Sequence, residues 1–177
     1  MAQKILVVED NELNLKLFCD LLRAHGYEAE PVRDGREAVD RAHAFVPDLV
    51  VMDIQMPHVS GLELIEQMKA DEDLKMTPIM AVTAYAAKGD EERIRDAGAE
   101  GYVSKPISVL RFVEAVQNLL TAALARAEEA AAAAESADQP VEAEAEAETE
   151  TQEAPEDGAP SADSADATDP EDEDGQA

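Results

Sequence analysis

Five short apolar runs, each followed by a helical pattern, constrain this chain more than any other feature. The runs are Lys4–Val8, Glu28–Val32, Leu49–Met52, Ile79–Val82 and Gly101–Ser104. Amphipathic stretches follow them at Glu12–Ala24, Gly35–Phe45, Gly61–Ala70, Gly89–Asp96 and Ser108–Leu124. A run as apolar as Leu49-Val50-Val51-Met52 reads as a strand covered on both faces of a parallel sheet. Strand–helix alternation with short loops then needs right-handed crossovers, with helices on both faces. The expected fold is α/β, a doubly wound five-stranded parallel sheet of flavodoxin-like order 2-1-3-4-5. Glu28–Val32 is short and polar, as an edge strand would be.

The punctuation agrees. Asn11, Asp34 and Ser108 stand where N-caps are needed, and Ser60 with Glu63 forms a capping-box pattern. Gly26 and Gly98 follow helices at positions suited to a left-handed terminus.

Composition changes sharply near residue 120. All three Phe and all three Tyr precede it, and −18 of the net −27 lies beyond it. The first 120 residues can bury a core. The rest lack the apolar area to offset the entropy of ordering. The expected domains are 1–120, an Ala-rich helical extension over 121–135, and a disordered acidic Ala/Glu/Asp-rich tail over 136–177. This charge balance disfavours direct nucleic-acid binding and docking on an anionic membrane. No apolar run is long enough to span a bilayer, and the N-terminus leads straight into a strand without a signal-peptide layout. The expected location is cytoplasmic. One cysteine, Cys19, excludes an intramolecular disulfide framework and sits in an apolar helical pattern as a core thiol. His25, His43 and His58 have no metal-ligand spacing.

The chemistry gathers at the C-terminal ends of the strands, where open α/β sheets bind ligands. Glu9-Asp10 follow the first strand, Asp53 the third, Thr83 the fourth and Lys105-Pro106 the fifth. The strand order places Glu9-Asp10 beside Asp53. Three close carboxylates repel one another, and Mg²⁺ with its waters resolves the repulsion. The expected ligands are Asp10, Asp53 and the Gln55 main-chain carbonyl, with Glu9 acting through water. Asp53 is the expected nucleophile toward a phosphoryl group, forming an acyl phosphate. Lys105 supplies a point charge to the phosphate oxygens and Thr83 a hydroxyl. Each piece alone is ordinary; four strand ends in one order make a site.

These residues carry a resemblance. Val8-Glu9-Asp10, Met52-Asp53-Ile54-Gln55-Met56-Pro57 with Ser60-Gly61, Thr83-Ala84 and Lys105-Pro106 resemble the receiver domain of two-component response regulators, a CheY-like fold. Glu9–Asn14, Gly89–Arg95 and Ser104–Ser108 are most similar to the single-domain cell-cycle regulators of that family. The resemblance implies that Asp53 takes phosphate from the phosphohistidine of a histidine kinase or histidine phosphotransfer protein. It implies that Thr83 then moves toward the phosphate, that the Tyr102 ring turns with it, and that Lys105-Pro106 is cis. Tyr85 competes with Tyr102 for the same face.

The function expected is a phosphorylation-switched phosphorelay protein with a downstream protein target. Self-phosphorylation and autodephosphorylation would be its only catalysis. A phosphohydrolase needs a second acid two residues after the nucleophile; Gln55 stands there. A third reading is a phosphate-independent binding module working through the acidic tail.

Overall fold

A computed structural model describes residues 1–84 and 88–136. The described chain runs β1 (Lys4–Val8), α1 (Glu12–Ala24), β2 (Glu28–Val32), a 3-10 turn (Gly35–Glu37), α2 (Ala38–Phe45), β3 (Leu49–Asp53), α3 (Gly61–Ala70), β4 (Ile79–Thr83), α4 (Lys88–Asp96), β5 (Gly101–Ser104) and α5 (Val109–Ser136). The five strands are parallel in the order β2-β1-β3-β4-β5, as the alternation required. The expected competition from Tyr85 and the disordered tail over residues 137–177 lie outside the described residues.

Each strand alternates its side chains between two cores. Ile5, Val7, Leu49, Val51, Met80 and Val82 face α1 and α5, where Phe18 and Phe112 stack with centroids 5.1 Å apart. Leu6, Val8, Val50, Met52, Ile79 and Ala81 face α2, α3 and α4. All five residues of β3 and of β4 are buried, which explains their unbroken apolar runs. β2, at the sheet edge, leaves Glu28 and Pro31 exposed and buries Ala29 and Val32, and an edge strand tolerates the proline. Cys19 is buried with Leu15, Phe18 and Leu22.

Asn11 and Ser60 cap their helices as read. Asn11 Oδ1 accepts from the Leu13 and Asn14 N–H groups, and Ser60 and Glu63 close a capping box. Gly26 and Gly98 have positive φ. Several boundaries differ from expectation. The stretch from Gly35 begins as a 3-10 turn, because Asp34 accepts from the Arg36 N–H and tightens the first turn. β3 and β4 each run one residue further, so Asp53 and Thr83 belong to their strands. α5 reaches Ser136, roughly 42 Å at 1.5 Å per residue. Its Ala-rich end continues the helix while Arg126 reaches to within 4.0 Å of Glu100.

Candidate functional site

Register assembles the site. Val8 pairs with Met52, Asp53 with Val82 and Thr83 with Ser104. Glu9, Asp10, Asp53, Thr83 and Lys105 therefore leave the sheet along one edge. Glu9 is 1% exposed, Asp53 2% and Thr83 4%, while Asp10 is half-buried and opens the group to solvent.

The loop after β3 fixes Asp53. The Gly61 N–H donates to the Ile54 carbonyl at 3.1 Å, and the start of α3 lies against the Asp53 backbone. A Cβ on Gly61 would come within 2.7 Å of Ile54 Cα and 2.9 Å of the Asp53 carbonyl carbon. Only glycine allows that approach. On the other side, the Lys105 N–H donates to the Thr83 carbonyl at 2.7 Å. The Lys105–Pro106 peptide is cis, as the resemblance implied.

One oxygen from each of Glu9, Asp10 and Asp53 lies within 4.8 Å of the others. Lys105 Nζ donates to Asp53 Oδ2 at 3.2 Å and lies 3.0 Å from Glu9 Oε2. The Gln55 N–H donates to Asp53 Oδ1 at 3.1 Å. Glu9 Oε1 accepts from the Asn11 N–H at 3.2 Å and from Asn14 Nδ2 at 3.5 Å. Glu9 Oε2 is within ion-pair reach of Lys105, yet no donor among the described residues is aligned to hydrogen-bond it.

Charge follows from this geometry. Burial pushes the Glu9 carboxyl up; Lys105 opposes that and the Asp53 charge adds to it. Burial alone would lower the Lys105 ammonium. The Glu9 and Asp53 carboxylates outweigh burial and hold it above its ordinary value. Lys105 thus already neutralises part of the acidic group, a role the sequence did not disclose.

The residues fit a small hard cation. Three carboxylates gather and two of them share the Lys105 ammonium, while a buried carboxylate oxygen lacks an aligned donor. Half-buried Asp10 leaves room for the waters that Mg²⁺ retains.

Tyr102 lies on β5, half-buried. Its neighbour Glu91 on α4, with burial, pushes the phenol up. A cavity of about 70 Å³ borders Thr83, lined by Ile54, Gln55, Leu62 and Ile94 among others. His25 Nδ1 lies 2.8 Å from the Leu21 carbonyl at the end of α1, as expected of a C-terminal histidine. His43, which had no ligand spacing in sequence, sits 3.0 Å from Asp71 and 4.0 Å from Asp73. That exposed cluster joins α2 to the loop after α3, and no local spacing could have signalled it. In the sequence Asn14 stands only as the last residue of the Glu9–Asn14 motif. Its bond to Glu9 is legible only once α1 is placed.

Comparison with known proteins gives the same picture. Residues 5–117 match the family described as the response regulator receiver domain. The chain is 56% identical over 120 residues to the polar-differentiation response regulator DivK of Brucella ovis, covering 68% of this chain and 98% of that protein. The DivK of Brucella anthropi is 55% identical over the same length and coverage. The chemotaxis protein CheY4 of Vibrio cholerae superposes with a TM-score of 0.65 at 27% identity, covering 67% of this chain and 99% of its own. A receiver domain of a sensor histidine kinase from Pseudomonas aeruginosa, solved with magnesium coordinated in its active-site cleft, gives 0.64 at 33% identity. It covers 68% of this chain and 99% of its own.

Proposed function

The chain belongs to the response regulator receiver domain family, and we propose that Asp53 is the phosphoryl acceptor through which it signals. One observation carries this reading. Asp53 ends β3 almost wholly buried, with Lys105 on one oxygen and the Gln55 N–H on the other, inside an acidic group. Those donors hold one oxygen each and aim the carboxylate.

In the proposed transfer, an Asp53 oxygen attacks the phosphorus of a phosphohistidine. The new P–O bond forms as the P–N bond breaks, and the imidazole nitrogen keeps the electron pair. Asp10, Asp53 and the Gln55 carbonyl would hold Mg²⁺, with Glu9 acting through water. The ion supplies charge screening to the three equatorial phosphoryl oxygens. Lys105 exchanges its contact with Asp53 for the incoming phosphate oxygens. Thr83 donates its hydroxyl to one of them.

The acyl phosphate adds charge and acceptors beside Thr83. The cavity next to Thr83 leaves space for a rearrangement, and Tyr102, on β5 near Glu91 of α4, would turn with it. The output surface would be β4, α4, β5 and the first part of α5, read by a downstream protein. The phosphodonor would be a histidine kinase or histidine phosphotransfer protein. It would meet α1, where Leu13 and Leu17 are exposed, and the loops around Asp53. We assign no substrate turnover beyond self-phosphorylation and dephosphorylation, no direct nucleic-acid contact and a cytoplasmic location. Among the described residues no helix is long and apolar enough to cross a membrane. The high identity to DivK favours a cell-cycle phosphorelay.

The test is transfer from an autophosphorylated histidine kinase with Mg²⁺, followed by amide NMR. Loss of label from the kinase and shifts around Thr83, Gly89 and Tyr102 are expected. Transfer without any shift at those positions would remove the switch. No transfer from any histidine donor or small phosphodonor would remove the acceptor role.

A further inference from the structure

Asn14 occupies the third position of α1, in the first turn after the Asn11 cap. Asparagine is a poor residue for a helix interior, and a capping box would place Glu or Gln here to accept from the cap N–H. In this chain the Asn11 N–H is already taken by Glu9 Oε1, and Asn14 Nδ2 approaches the same oxygen. A carboxylate only accepts, so the amide must turn its NH₂ toward Glu9. Both bonds fall on Oε1. Oε2 is left without an aligned donor, buried, and facing Lys105 and Asp53. The first turn of α1 therefore holds one oxygen of Glu9 and presents the other to the acidic group.

We infer that Asn14 is a positioning residue for the cation site, acting through Glu9; this rests on the phosphoacceptor reading above. The Asn11 N–H holds Oε1 from one side and the Asn14 amide adds a second donor to the same oxygen, so Oε1 stays with the first turn of α1 while Oε2, 3.0 Å from Lys105, faces the cation site. Loss of the Asn14 amide leaves the acidic residues in place and the fold intact, but lets Oε2 wander from the cation.

The test is Mg²⁺ titration of the full chain by calorimetry, for wild type, Asn14→Ala, Glu9→Ala and the double variant. Unfolding in EDTA serves as the folding control. Asn14→Ala should weaken Mg²⁺ binding about three- to ten-fold, the range of one lost hydrogen bond, with EDTA stability unchanged or raised. In the Glu9→Ala background the same substitution should change affinity less than about two-fold, because the coupling runs through Glu9. Asn14→Gln, which keeps a donor, should recover part of the affinity. Wild-type affinity in Asn14→Ala, or full additivity in the double variant, overturns the inference alone. Absence of Mg²⁺ binding by the wild-type chain overturns the phosphoacceptor reading with it.

Discussion

Gly61→Ala tests how tightly the fold holds the acceptor. The added Cβ would meet backbone only: the Asp53 carbonyl oxygen, Ile54 Cα at 2.7 Å and the Asp53 carbonyl carbon at 2.9 Å. Carbon atoms pack at about 3.5–4.0 Å, so α3 and the end of β3 must separate by about 1 Å. These nearest atoms are backbone, which cannot give as the end of a flexible side chain can. Overpacking of this kind costs about 3 kcal/mol, and a domain near this size would lose roughly 10–20 °C in Tm. Folded variant molecules would carry a displaced Asp53, and a 1 Å misplacement of a reacting group slows chemistry by about 100-fold. Thermal unfolding in EDTA and the rate of labelling by a small phosphodonor measure the two effects. A variant with wild-type Tm and wild-type labelling would refute the close approach of α3 to Asp53.

Lys105→Met removes the ammonium shared by Glu9 and Asp53. Phosphoryl acceptance should fall about 100-fold, while Mg²⁺ binds more tightly because its competitor has gone; paired titration and labelling separate these from misfolding. The raised Glu9 carboxyl gives a pH dependence. The folded state binds this proton more tightly than the unfolded chain, so without Mg²⁺ the Glu9 contribution grows more favourable as pH falls through the folded value toward 4.5. Protons should compete with Mg²⁺ over that window, and Glu9→Gln should flatten both profiles in denaturation and titration series. At the opposite end of the sheet, Lys69 Nζ donates to the Lys75 and Thr77 carbonyls and to Glu100 Oε1 at 3.2, 2.8 and 2.6 Å. Lys69→Met should cost about 2 kcal/mol in urea unfolding and leave Asp53 labelling unchanged.

Strand placement was readable because β3 and β4 are buried on both faces, which leaves an unbroken apolar signal. The edge position of β2 showed in its polar residues and Pro31 for the opposite reason. Caps are local chemistry, so Asn11, Ser60 and Gly98 could be read directly. Strand order then brought Glu9, Asp10 and Asp53 together without any side-chain information. Pairings across the fold stayed hidden. Nothing local links Lys105 to Glu9, Lys69 to Glu100 or His43 to Asp71. Gly61 looked like an ordinary first residue of a helix until its distance from Asp53 was known. Val46, left-handed with φ 53° at the end of α2, offered only the following Pro47 as a signal.

The central claim is that Asp53 forms an acyl phosphate. Borohydride reduces an aspartyl phosphate to homoserine, which marks the residue in peptide mass spectra. After treatment with a small phosphodonor and Mg²⁺, the account predicts homoserine at position 53, none when EDTA replaces Mg²⁺, and none in Asp53→Asn. Homoserine at another aspartate in the wild-type chain, or label that persists in Asp53→Asn, would contradict it.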